Sequence, residues 1–369
     1  MRQKKFENFY KYPKVSIVVV TYNNERIIHE CIRSVLKNNY PNYELIIVDN
    51  GSTDGTLKAV KELINKFNAW NKTKIIVNRK NLGISKASNI GVLFSRGKYI
   101  AFLDSDASVH PNWLFQPIEI MEKDMTVAAV QSKILKADPF MSNGLNKKKE
   151  EIIDSAGGFM DLTFNIYVRG KNEIDRGQYN RIEEIFYPTH TGSIIRKDVF
   201  IELGGFDDLF FIDFHDVDFG WRLWMSGYRI VFAYKSIVYH IRGGSRKKLS
   251  HHVIRNYKNY LLTVMKNISN NAILIRYVLY YLFRTFNAIL KHENKVALRR
   301  FLSLIAVLRS LGRIYSKKKL LKKSTKSELG RILWKGTSIV LKKYSKYPLR
   351  YRLFVINDIR VSSADIYLD

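Results

Sequence analysis

The chain is poor in thiols: Cys31 is the one cysteine in 369 residues. It stands at an apolar position of a helical pattern, so no disulfide framework exists, and a reducing compartment is the expectation. Long hydrophobic runs are missing as well. No stretch reaches the ~18 uninterrupted apolar residues of a spanning helix. Residues 1–14 are polar and basic, without the apolar centre of a secretion signal. The dinucleotide fingerprint Gly-x-Gly-x-x-Gly and its acidic ribose binder are lacking, which rejects an NAD site. Zinc-ligand spacing, a helix-turn-helix pattern and an RNA-binding aromatic pair are lacking too, so no specific nucleic acid is expected as a partner.

Acidic residues run short in one region. Residues 251–369 hold 5 Asp and Glu against 25 Lys and Arg, whereas residues 1–250 hold 28 against 37. The net charge of +29 therefore belongs mainly to the last third. Such a field attracts an anionic membrane surface, a nucleic acid or an acidic polymer; the bland alternative is solubility or a general preference for lysine.

What is present is a chain long enough to bury a full core and to hold two units. Residues 15–20 read as a strand apolar on both faces. Asn23 or Asn24 is placed to cap a helix carrying Ile27, Ile28, Cys31, Ile32, Val35 and Leu36. Strands follow at 44–48, 74–77 and 98–103, with helices between them, the second capped by Asp54. This alternation predicts an α/β fold: a Rossmann-like, mostly parallel sheet flanked by helices. Ligands of such sheets bind outside the carboxyl ends of the strands, where Thr21, Asp49, Asn81 and Asp104 fall.

Beyond that, 127–132 and 192–196 read as strands and 136–154 as an exposed loop. Residues 157–167 read as a strand or hairpin, and 216–226 as a helix stopped by Gly227. Two short strands are expected at 229–233 and 236–239. From His251 the pattern changes to long helices, at 257–265, 272–290 and 296–315, in which arginines interrupt Leu, Ile, Tyr and Phe. They suit a membrane interface, or a helical pair packed on the first domain or on another subunit. Lys317–Lys326 reads as a polybasic turn or linker, and 349–356 as a strand or short helix. The domain division is 13–250 and 251–369.

Four constellations carry chemistry. Asp104 and Asp106 end a hydrophobic strand, where unpaired charge is costly, and point to a divalent cation on a diphosphate. Asp49 opens the loop Asp49–Asp54, either accepting hydrogen bonds from a base or ribose edge or making an Asx turn. Gly83 permits a tight turn between Asn81 and a helix start suited to nucleotide or phosphate contacts. In residues 207–218 carboxylates interleave with aromatics, and Asp216 is placed to deprotonate a hydroxyl. Asp218 and Arg222 are spaced to pair on one helix. His240 suits Mn2+ when joined by carboxylates, though a lone histidine is a weak signal.

These motifs, taken in order, resemble the inverting GT-A-fold glycosyltransferases of family 2, in particular a rhamnosyltransferase-like or galactofuranosyltransferase-like group. The resemblance covers about residues 13–245. It rests on Val15-Ser-Ile-Val-Val-Val-Thr-Tyr-Asn23, Ile47-Val-Asp-Asn-Gly-Ser-Thr-Asp54, Asn81-Leu-Gly-Ile-Ser85 and Phe102-Leu-Asp-Ser-Asp106. It continues in Gly204-Gly-Phe-Asp207, Asp216-Val-Asp-Phe-Gly-Trp-Arg-Leu223 and Val238-Tyr-His240.

The resemblance implies a nucleoside-diphosphate sugar as donor, with Asp49, Thr21 and Asn23 on the base, Asn81 on the nucleotide, and Asp104 near the ribose. It implies Asp104, Asp106 and His240 as ligands of Mn2+ or Mg2+, and Asp216 as catalytic base. Asp207, His215, Trp221 and Arg222 are placed on the acceptor side. His215 stands where the family usually has glutamate, which leaves the base intact and alters its polar neighbour. The expected acceptor is a glycan, glycolipid or lipid-linked oligosaccharide, at the cytoplasmic face of the cell membrane. A sugar-1-phosphate nucleotidyltransferase shares the fold, but would carry a glycine- and arginine-rich loop where this chain has Thr21-Tyr-Asn-Asn24.

Overall fold

A computed structural model describes residues 12–137, 150–161, 164–241, 250–268 and 271–314. Residues 138–149 of the expected loop, the polybasic run at 317–326 and the element expected at 349–356 lie outside the described residues.

The first strand, β1 (Val15–Thr21), is buried along its whole length, as its unbroken apolar run requires. Helix α1 (Ile28–Leu36) returns over the sheet with Ile28, Cys31, Ile32, Val35 and Leu36 inward. Then come β2 (Tyr43–Asp49), α2 (Thr56–Lys66), β3 (Thr73–Val77), α3 (Ile84–Leu93) and β4 (Tyr99–Asp104). The chain continues through β5 (Ala107–Val109), α4 (Phe115–Lys123), β6 (Val127–Lys136), β7 (Ile153–Ser155), β8 (Gly158–Met160), β9 (Ile166–Val168), β10 (Glu183–Glu184) and β11 (Ser193–Arg196). Helices α5 (Lys197–Glu202) and α6 (His215–Met225) precede β12 (Arg229–His240). The last described elements are α7 (Ser250–Asn267), α8 (Asn271–Leu290) and α9 (Asn294–Leu308).

The sheet runs β3-β2-β1-β4-β11-β6-β12-β10. β1, β2, β3 and β4 pair in parallel, as do β6 and β12. β11 lies between the two halves, antiparallel to β4 and β6. The parallel half brings Thr21 opposite Asp49 and Val20 opposite Asp104, so one carboxyl edge gathers all three polar groups.

Several expectations change. The N-cap position of α1 is Ile27, which makes no side-chain cap, while Asn23 and Asn24 reach across the loops: Asn23 Oδ1 accepts from Thr53 N at 2.8 Å and Asn24 Nδ2 donates to Ser105 Oγ at 2.6 Å. Asp54 does receive the Thr56 N–H, at 3.0 Å, at the start of α2. The stretch 136–154 is not an exposed loop throughout: Ile153–Ser155 is a buried strand paired with β6. The two strands expected at 229–239 are one strand with an irregularity, Ala233 facing Ser132 and Ile237 facing Lys133. Within the stretch read as a strand or hairpin, β8 does pair with β9.

The described residues fall into two compact units. One holds the sheet. The other gathers 159–167, 221–227 and the described helices α7, α8 and α9. In the second unit Tyr277 packs edge-on to Phe164, and Tyr281 donates to Arg300 O. Among the described residues no helix is long and apolar enough to cross a membrane.

Candidate active site

The site is built where β4 stops. Asp104 is its last residue, and Ser105 and Asp106 turn the chain into β5. β5 pairs antiparallel with β12, setting His240 opposite Ala107, and Ile241 N donates to Asp106 O at 2.9 Å. That pairing brings a histidine 134 residues away to Asp106, with Nε2 at 3.2 Å from Oδ1. Asp104, Asp106 and His240 each place a ligand atom within 4.8 Å of the others. Two carboxylates and an imidazole are a donor set suited to Mn2+ or Mg2+, so the residues fit a divalent cation.

The set has a second layer. β7 lies on β6, and from it Asp154 reaches His240 Nδ1 at 3.0 Å while itself only 2% exposed. A carboxylate behind a ligating histidine fixes the ring and its tautomer. Burial disfavours the charged ring of His240, but hydrogen bonds to Asp106 and Asp154 win and push its pKa up to about 10.

Asp104 is tied elsewhere. His190 Nδ1 lies 2.8 Å from its Oδ1, and His190 Nε2 lies 2.9 Å from Ser88 Oγ on α3. Burial raises the Asp104 carboxyl, but the charge and hydrogen bond of His190 outweigh it and hold the group well below the usual carboxylate range. The backbone N–H of His190 also donates to Asp216 Oδ2, at 3.2 Å. One residue thus connects the cation-site carboxylate with the expected base.

Asp216 sits in the first turn of α6, its Oδ1 accepting from Val217 N at 2.9 Å. Burial pushes its pKa up to about 6, against those backbone donors. Its neighbour His215 is 4% exposed and wedged between Phe206, 4.8 Å away edge-on, and His190, 5.2 Å away. Neither ring nitrogen of His215 has a hydrogen-bond partner. Burial, then the nearby His190, hold its pKa well below the ordinary value.

On the neighbouring strands, Thr21 Oγ1 and Asp49 Oδ1 are buried without partners. Asp49 Oδ2 accepts only weakly, from Ser52 N at 3.3 Å. Asn81 Oδ1 accepts from Gly83 N at 2.9 Å and from Asn50 Nδ2 at 3.0 Å, binding the loops after β2 and β3 together. Gly83 has φ +83 and lies against the Phe211 carbonyl, leaving no room for a Cβ. The buried Asp207 caps its own turn by accepting from Leu209 N at 3.0 Å. Trp221 and Arg222 are in the second unit and buried, Trp221 stacked on Phe164.

Sequence reasoning missed His190 and Asp154 as residues of the site. His190 had a faint signal in Pro188-Thr-His-Thr-Gly192 just before a strand; Asp154 had none, being inside a polar stretch.

The family model for glycosyl transferase family 2 matches residues 16–204. An uncharacterized glycosyltransferase of Haemophilus influenzae is 38% identical over 120 residues, 32% of this chain and 36% of that protein. Glycosyltransferase AglE of Haloferax volcanii is 38% identical over 105 residues, 28% of this chain and 33% of its own. A chondroitin synthase of Pasteurella multocida is 34% identical over 142 residues, 38% of this chain and 14% of its own. The chain therefore spans well under two thirds of these relatives. Among solved structures, GalNAc-T7 crystallised with UDP, GalNAc and Mn2+ superposes with a TM-score of 0.53 at 20% identity, over 69% of this chain and 48% of that one, a likeness of fold. With a GT-A-type sheet and a family match that begins in β1 and runs past β11, the chain belongs to glycosyl transferase family 2.

Proposed function

We propose that the protein moves a sugar from a nucleoside-diphosphate sugar to a hydroxyl of a glycan, glycolipid or lipid-linked oligosaccharide. In this reading the reaction inverts the anomeric carbon, uses Mn2+ or Mg2+, and takes place at the cytoplasmic face of the cell membrane. The observation that carries it is the gathering of Asp104, Asp106 and His240 on the sheet edge that also bears Asp49 and Thr21, with His190 joining Asp104 to Asp216.

The site residues then divide the work. The unpartnered Asp49 Oδ1 and Thr21 Oγ1 meet the nucleotide base, which removes the cost of leaving them buried and unsatisfied. Asn23 helps on the base and Asn81 on the nucleotide, from loops that their own hydrogen bonds tie together, and Asp104 lies near the ribose. Asp104, Asp106 and His240 would hold the cation, which would supply positive charge against the diphosphate. Asp216 takes the proton of the attacking hydroxyl; a pKa of about 6 leaves it ionised yet basic near neutrality. A diphosphate leaves without a general acid, so one base suffices. His215 and Asp207 are assigned to the acceptor side, His215 offering two free ring nitrogens beside the base. Among donors, rhamnosyl and galactofuranosyl nucleotides come first.

The test is a panel of nucleotide sugars, with and without Mn2+, read by thermal stabilisation and by slow donor hydrolysis. At least one donor should stabilise the protein and be hydrolysed only with the metal present. A protein indifferent to every donor in both readouts sinks the reading.

A further inference from the structure

Helices α8 and α9 are apolar on the side that should be polar. On α8 the packed side carries Tyr277, Tyr281 and Ala288. The opposite side carries Ile275, Leu279, Leu282, Phe283, Phe286 and Ile289, each 42–60% exposed. At 3.6 residues per turn these six fall within about 120° of arc. Helix α9 repeats the arrangement: Ala297, Arg300, Ser303 and Val307 are buried, while Leu298, Phe301, Leu302 and Leu308 are 39–57% exposed. A water-facing helix normally shows the reverse, and exposed apolar stripes of this size mark an interaction surface.

Charge selects the partner. Between 271 and 314 there are eight Lys and Arg against Glu293 alone. Arg276, Lys291, Lys295, Arg309 and Arg313 are exposed. Two copies joined through such a surface would bring like charges together, whereas an anionic bilayer supplies both an apolar interior and phosphates. Neither helix is long and apolar enough to cross. We infer that α8 and α9 form an in-plane docking surface for an anionic lipid bilayer. Phe283, Phe286 and Phe301 enter the acyl boundary, and Arg276, Lys291, Lys295 and Arg309 reach the headgroup phosphates. This does not rest on the sugar-transfer reading, and of the alternatives left by the sequence it favours the membrane interface: on α8 Tyr277 and Tyr281 lie on the packed side, and Leu, Ile and Phe make most of the outer one.

The experiment is flotation of the full chain with vesicles of phosphatidylcholine, alone or mixed with phosphatidylglycerol. The protein should float with the mixed vesicles and bind the neutral ones about tenfold or more weakly. Phe283→Glu with Phe286→Glu should lower partitioning about tenfold or more, with unchanged melting temperature because both positions are exposed. Lys291→Glu with Lys295→Glu should weaken binding to mixed vesicles only. The inference is overturned if the double phenylalanine variant floats like the wild type. It is equally overturned if the lipid-free protein is a dimer that the same variant turns into a monomer.

Discussion

Asp216 shows how a single residue's surroundings set its chemistry. Buried in the first turn of a helix, it keeps a proton to higher pH than a surface aspartate. Activity is therefore expected to rise as pH passes through about 6, where the base becomes ionised. The same shift acts on stability in the opposite sense: the folded chain holds this proton more tightly than the unfolded one, so the contribution declines as pH climbs from about 4 to 6. Asp216→Asn should cut turnover ~10²- to 10⁴-fold while donor affinity, read by calorimetry, stays within a few-fold. Unchanged turnover would remove Asp216 from its role. Asp106→Ala should abolish Mn2+-dependent donor binding. Asp154→Asn, which leaves all three ligands in place, should still weaken Mn2+ about 10- to 100-fold, because His240 loses the carboxylate that orients it. Manganese affinity equal to that of the wild type would show that Asp154 merely fills space.

At the scale of elements, the loops are held by polar groups whose partners are distant in sequence. Glu44 on β2 accepts from Ser16 Oγ on β1 and from Arg96 N before β4, both at 2.6 Å. Burial works against its charge, but the Ser16 and Arg96 hydrogen bonds and Lys14 prevail and lower its pKa. Its stabilisation is thus full above the ordinary glutamate pKa and fades as pH falls through the lowered one. Glu44→Ala leaves two donors without an acceptor and should cost ~2–3 kcal/mol in urea unfolding. A loss near zero would mean that water replaces the carboxylate. The strands and helices of the parallel half were legible because apolar periodicity is local. The single β12 was not, since its irregularity arises from pairing with β6, and the sequence there reads as an interruption.

At the scale of the whole molecule, charge and metal are linked. In the metal-free chain His240 has a pKa pushed up to about 10, so it stabilises the fold fully below its unfolded value near 6.5, with that support lost as pH rises towards 10. A cation requires the neutral ring, so its affinity rises over the same range. The melting-temperature gain from Mn2+ should therefore grow from pH 6 to about 9. A gain independent of pH would argue that His240 does not meet the cation. The excess positive charge lies elsewhere: α8 and α9 belong to the second compact unit, whereas the cation cluster belongs wholly to the first.

The sequence by itself determined the α/β alternation, the carboxyl-edge placement of Thr21, Asp49 and Asp104, and the concentration of positive charge in the last third. All of these follow from short-range periodicity, strand ends and composition. Tertiary structure decided that His240 reaches Asp106, that His190 spans Asp104 and Asp216, and that Asp154 stands behind His240. Those contacts join residues 26 to 134 positions apart. Strand pairing and burial create them, and no local pattern encodes which distant polar groups a sheet edge will bring together.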